Sequence, residues 1–124
     1  WMTPYEYGEE TDIVEIPISW YRDDIPPMLF IKQPLYNSGY VSPKMIYEEY
    51  YKAQFDYLYN RRGAGVYTLT IHPDLHGLPH MIELFEDFIG YVKGHENAEF
   101  VTLEEVARKY DDDPGVYESE SEYI

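Results

Sequence analysis

Apolar positions along this chain change period several times, and each change predicts an element. In "TDIVEIPISW" (11–20), Ile13, Val14, Ile16 and Ile18 fall on both faces of an extended chain. That is the pattern of a buried strand, with Pro17 near its end or at a bulge. The stretch "YRDDIPPMLFIKQPLYNSGYV" (21–41) has no period and is rich in Pro, Gly and Asn. It reads as a long loop, a kind of segment that usually serves function or an interface. Residues 42–62 read as a helix. Ser42 suits the N-cap and Pro43 the first helical position. Ile46, Tyr50, Ala53, Tyr57 and Leu58 form the stripe, and Gly63 ends it. "GVYTLTIH" (65–72) is a second strand, and "LPHMIELFEDFIGYVKG" (78–94) a second helix that buries Met81, Phe85, Phe88 and Val92. "AEFVT" (98–102) is a short strand. "TLEEVARKY" (102–110) opens with a capping box between Thr102 and Glu105. The order strand, loop, helix, strand, helix, strand, helix predicts an α/β fold with parallel strands.

Charge narrows the functions. The 124 residues carry a formal net charge of −15, which repels nucleic-acid phosphates and anionic membrane surfaces. Residues 111–124, "DDDPGVYESESEYI", hold six acids and no base, and read as a disordered acidic tail. The fold is therefore expected over residues 1–110. Without cysteine there is no disulfide framework or thiolate chemistry, which fits a cytoplasmic place. No apolar run is long enough to span a bilayer. Fifteen tyrosines suggest rings that pack while their hydroxyls meet water or a partner.

Candidate chemistry sits in "TLTIHPDLHGLPHMIELF" (68–85), where His72, His76 and His80 are spaced four apart. On one helix they would stack as a metal site. Pro73, Gly77 and Pro79 interrupt that helix, so no such face is expected. His72 would end a strand, His76 would lie in a loop and His80 would start the next helix. The C-terminal ends of strands are where α/β folds place their ligands. That makes His72 a candidate catalytic residue, although a lone histidine at a strand end is more often one satisfied by backbone. Trp20 and Tyr21, at the end of the first strand, are candidates for binding substrate or for packing in the core or between subunits. Arg22, Asp23 and Asp24 read as a surface ion-pair cluster, and His80 and His95 as surface residues.

The runs "VEIPISWYRDD" (14–24), "YTLTIHPDLHGLPHMIELFEDFIGYV" (67–92) and "EFVTLEEVARKY" (99–110) resemble the C-terminal part of polysaccharide deacetylases. These are the NodB-homology, carbohydrate esterase family 4 proteins, and the resemblance is greatest to the cytosolic branch with peptidoglycan-deacetylase-like proteins, allantoinases and cyclic imidases. It covers about residues 4–110. It implies a distorted (β/α) barrel of which this chain is the C-terminal segment. It also implies a metal-dependent hydrolase of non-peptide C–N bonds, acting on an N-acetylated sugar or a cyclic amide. In that family an aspartate and two histidines from N-terminal motifs hold zinc. Neither T-F-D-D nor an intact H-x-x-x-H pair occurs here, so the chain alone is expected to bind no zinc and to be inactive. His72 matches the histidine of the last family motif, which acts there as general acid or polarises the intermediate. The resemblance implies as partner a missing N-terminal half or further copies of the chain. The alternative is a non-catalytic remnant that serves as a binding or assembly module.

Overall fold

A computed structural model describes residues 13–29, 31–32, 36–37 and 42–118. Its dominant element is a helical rod over residues 43–62, here α2. Ser42 caps it, the side-chain oxygen accepting the Met45 N–H at 3.3 Å, with Pro43 at the first helical position. The rod alternates between two windings. It is α-helical over Pro43–Met45 and Ala53–Tyr57, and π-helical over Ile46–Lys52 and Leu58–Arg62. Gly63, at φ 74°, ends it, donating its N–H to the Leu58 carbonyl at 2.9 Å.

The π winding changes which residues are buried. Ile46, Tyr51 and Phe55 face the core, while Tyr57, expected on the buried stripe, is 60% exposed. A period of 3.6 residues carries the apolar face through Tyr50 and Ala53. Hydrogen bonds closing five residues apart turn Tyr51 inward instead.

The expected loop at 21–41 holds more structure than its composition suggests. A 3-10 turn, Trp20–Arg22, leads into α1, Ile25–Leu29, and then into a short antiparallel pair, β1 (Ile31–Lys32) and β2 (Tyr36–Asn37). Pro26 and Pro27 lie in the first turn of α1, where a missing N–H does no harm and a preset φ helps.

Three further helices follow: α3 (Pro73–His76), α4 (Pro79–Lys93) and α5 (Leu103–Asp112). The capping box of α5 forms as expected, Thr102 Oγ1 accepting the Glu105 N–H at 3.2 Å and Glu105 Oε2 accepting the Thr102 N–H at 2.7 Å. Residues 111–118 carry the end of α5 and a turn; residues 119–124 lie outside the described residues.

The expected strands at 11–20, 65–72 and 98–102 form no ladder among the described residues. Residues 13–22 and 65–72 nevertheless run side by side. The Thr68 hydroxyl donates to the Pro17 carbonyl at 2.9 Å and the Thr70 N–H to the Arg22 carbonyl at 2.8 Å, with a parallel bridge between Asp23 and Thr70.

The core packs α2 against α4, joined by Met28 and Leu75. Phe55 is its aromatic hub, with Tyr59, Tyr67, Phe88, Tyr91 and His95 around it at 5.1–6.3 Å between ring centroids. His95 is therefore half-buried in an aromatic cluster rather than a surface residue, its Nδ1 2.9 Å from the Tyr91 carbonyl. Several tyrosines pack a ring and use the hydroxyl. Tyr67 donates to the Tyr51 carbonyl at 3.0 Å, Tyr59 to the Glu96 carbonyl at 3.0 Å, and Tyr91 to Asp56 at 2.5 Å.

Candidate active site

The site is built around a carboxylate. Asp23 Oδ1 accepts the Ile25 N–H at 2.8 Å, capping α1. The next residue, Asp24, turns inward and is completely buried. The bridge between Asp23 and Thr70 brings the second extended segment alongside, and His72 arrives two residues later. The His72 N–H donates to Asp24 Oδ2 at 2.9 Å, and its ring Nδ1 lies 2.7 Å from Asp24 Oδ1.

The local sequence then adds a second imidazole. His72 is the N-cap of α3, and its carbonyl accepts the N–H groups of Leu75 and His76, each at 2.9 Å. Pro73 starts that turn with its φ preset. One turn later His76 comes round beside His72, with Nδ1 2.5 Å from Asp24 Oδ2. On the far edge of the His76 ring, Nε2 lies 3.1 Å from the Tyr51 hydroxyl of α2. The Tyr51 and His76 rings stack, and Phe85 of α4 meets His76 edge-on at 5.3 Å. Gly77 stops α3 where a Cβ would lie 2.4 Å from the Pro73 carbonyl oxygen.

The hydrogen bonds fix the proton positions. A carboxylate only accepts, so His72 and His76 both present Nδ1–H to Asp24. The Tyr51 hydroxyl stays protonated, because burial, and then the nearby Asp24 charge, push its pKa well above the usual phenol range. With Nδ1–H directed at Asp24, His76 Nε2 is the acceptor to which the Tyr51 hydroxyl can donate at 3.1 Å. His72 is the exposed member of the pair, with about a third of its side chain in solvent (35%). The hydrogen bond to Asp24 raises its pKa above the ordinary value, opposed by desolvation and supported by the charges of Asp24, Asp23 and Asp74. Asp24 engages the Nδ1 edge of the ring and not Nε2.

The structure thus places His72 against a buried carboxylate. Asp24 is no surface ion-pair residue, and Arg22 lies over the Tyr67 ring at 5.3 Å instead of pairing with it. His76 is buried in a helical turn, not held in a loop. Trp20 and Tyr21 form the turn just before Asp23, pinned by Gln54 Nε2 donating to the Tyr21 carbonyl at 2.6 Å. Their side chains are 71% and 74% exposed and stand outside the buried network.

A metal does not fit this cluster. Among the described residues, Asp23, Asp24 and His72 converge within 4.8 Å of one another. Both Asp24 oxygens, however, already accept hydrogen bonds, and His72 Nδ1 carries a proton directed at one of them. Zinc requires ligand lone pairs that are free. The three histidines do not share a face, since His80 is exposed at the start of α4 while His76 turns to Asp24.

Comparison with known proteins points one way. The chain is 42% identical over 107 residues to a peptidoglycan deacetylase of Helicobacter pylori, a match covering 86% of this chain and 36% of that protein. It is 35% identical over 117 residues to a peptidoglycan deacetylase-like protein of Gibberella zeae, covering 89% of this chain and 34% of the relative. The chain therefore spans about a third of the length of these relatives. No family model matches it.

Proposed function

The chain belongs to the polysaccharide deacetylases, as a C-terminal part of one, and on that premise we propose that it supplies the proton-transferring histidine of a hydrolase that removes acetyl groups from an N-acetylated sugar polymer. One observation carries the reading. A completely buried Asp24 holds the Nδ1 edge of His72 and leaves Nε2 for a substrate. Amide hydrolysis stalls at its leaving group, because an amine anion is too basic to depart unprotonated. An imidazolium placed beside that nitrogen delivers the proton from Nε2, and Asp24 holds the ring orientation throughout. A remnant kept only for binding has no need of a buried carboxylate aligned on a half-exposed histidine.

The family resemblance implies zinc, whose chemistry is to activate water and polarise the carbonyl. Among the described residues the Asp23–Asp24–His72 cluster is taken up by its own hydrogen bonds, so the zinc ligands are proposed to come from other residues. Trp20 and Tyr21, exposed beside Asp23, are proposed to contact the sugar, since aromatic faces pack well on pyranose rings. The cysteine-free composition supports a cytoplasmic place, and the exposed Phe100, Val101 and Leu103 suit a second copy or the rest of the barrel.

The test is His72→Ala in the full-length protein, measured as acetate released from an N-acetylglucosamine oligomer. Turnover should fall roughly 10²–10⁴-fold, with metal content and melting temperature unchanged. Turnover within a few-fold of wild type would make His72 a packing residue.

A further inference from the structure

The His76 side chain is 5% exposed against 35% for His72, yet it occupies one oxygen of the carboxylate that serves His72. We propose that His76 is a positioning residue that shares Asp24 with His72 and so keeps the His72 imidazolium acidic enough to release its proton. This rests on the reading of His72 as the proton donor.

Asp24 accepts three hydrogen bonds: Oδ1 from His72 Nδ1, and Oδ2 from the His72 N–H and from His76 Nδ1. Negative charge spent on one donor is unavailable to another. A buried carboxylate with His72 as its sole imidazole partner would hold the His72 proton far more tightly, because no water competes for it. An acid held too tightly transfers its proton slowly, since the best catalytic acid titrates near the working pH. The second imidazole weakens that grip without adding charge.

Tyr51 makes His76 suitable for this task. Its hydroxyl donates to His76 Nε2 at 3.1 Å, which keeps that nitrogen a lone-pair acceptor and the proton on Nδ1. It also polarises the ring, so that Nδ1–H is a stronger donor to Asp24. Phe85 and Tyr51 are the rings packed on His76, and Asp24 is the charged group it meets. His72 faces Asp24 and Asp23 from the turn before α1 and Asp74 from its own turn.

The sign of the effect separates this role from mere packing. A variant that loosens the site frees His72 from Asp24 and lowers its titration midpoint toward that of an ordinary histidine. A variant that only removes the competing donor raises it. His76→Asn keeps an N–H donor near the Nδ1 position, whereas His76→Gln moves it out toward Nε2, where it reaches Tyr51 but not Asp24. The full-length protein, labelled with 15N-histidine, reports the His72 midpoint directly by NMR. We expect His76→Gln to raise that midpoint by about half a pH unit, roughly threefold in affinity for the proton. The alkaline limb of the deacetylation pH profile should move up with it. His76→Asn should return both to wild type. Tyr51→Phe, which removes one oxygen and tests the idea if His76→Gln does not fold, should raise the midpoint by a smaller amount. A midpoint that falls or stays put in His76→Gln or Tyr51→Phe, or Asn and Gln variants that behave alike, overturns the proposal. The ring titration is read without turnover, so an inactive His72 would sink the functional reading and leave this result distinct.

Discussion

Replacing Asp24 by Asn should separate its charge from its shape. The amide has the size of the carboxylate but one acceptor oxygen instead of two. The arrangement that loses least keeps that oxygen in the place of Oδ2, where it still accepts from the His72 N–H and from His76 Nδ1. The amide NH2 then faces His72 Nδ1, which accepts only if the His72 proton moves to Nε2. The structure thus predicts a tautomer switch rather than collapse. Three charge-assisted hydrogen bonds become neutral ones, a loss of about 1 kcal/mol each. Burying an amide in place of a charge offsets part of this, so Asp24→Asn should cost roughly 2 kcal/mol. Asp24→Ala orphans all three donors at about 1–3 kcal/mol each, and should cost considerably more. Urea unfolding of both variants beside wild type gives the two free energies, and 15N shifts of the His72 ring give the tautomer. Equal costs for Asn and Ala, or an Asn variant whose neutral His72 keeps its proton on Nδ1, would refute the reasoning.

Three more outcomes follow from the same geometry. The pKa of His72 is raised in the folded state, so its share of stability is complete below the ordinary histidine value of about 6.5 and is lost as pH rises through the folded value; urea midpoints should fall across that window in wild type and stay level in Asp24→Asn. A Cβ on Gly77 would meet the Pro73 carbonyl at 2.4 Å, so Gly77→Ala should distort the turn that carries His76 and cost about 1–3 kcal/mol, read as a lower melting temperature. After dialysis, metal analysis of this chain should find no stoichiometric zinc; zinc that disappears in a His76→Ala/His80→Ala double variant would show that the histidines converge after all.

The helices were readable because each is bounded by local chemistry. Ser42, Pro43, Gly63, Pro79 and the Thr102–Glu105 box each act within one turn of the residues they control. The partnership of the site was not, and His72 was marked by the family resemblance rather than by its place at a strand end. Asp24 sits in an Arg-Asp-Asp run that looks like a solvated surface. Its burial follows from Asp23 taking the capping role and from an extended segment that arrives some fifty residues later. His76 was hidden by a sound inference pressed too far. Pro73 and Gly77 do break the long helix, but they leave one turn intact, and one turn is enough to swing His76 beside His72. Tyr51 was missed because a 3.6-residue period does not describe a π-wound segment. One clue was in plain view: a carboxylate following one strand-like run and a histidine ending the next are neighbours if the two runs lie parallel.

The Asp24 bonds span separations of 48 residues to His72 and 52 to His76, whereas the helices close over four or five. Short-range turns form in the first moments of folding, and contacts of such range wait until the intervening chain has been ordered. The carboxylate must stay hydrated until both imidazoles are in place, so its desolvation belongs to the last steps of assembly. Helical circular dichroism therefore does not by itself report that the Asp24 bonds have formed. For this chain, the state of Asp24 rather than helix content reports that folding is complete.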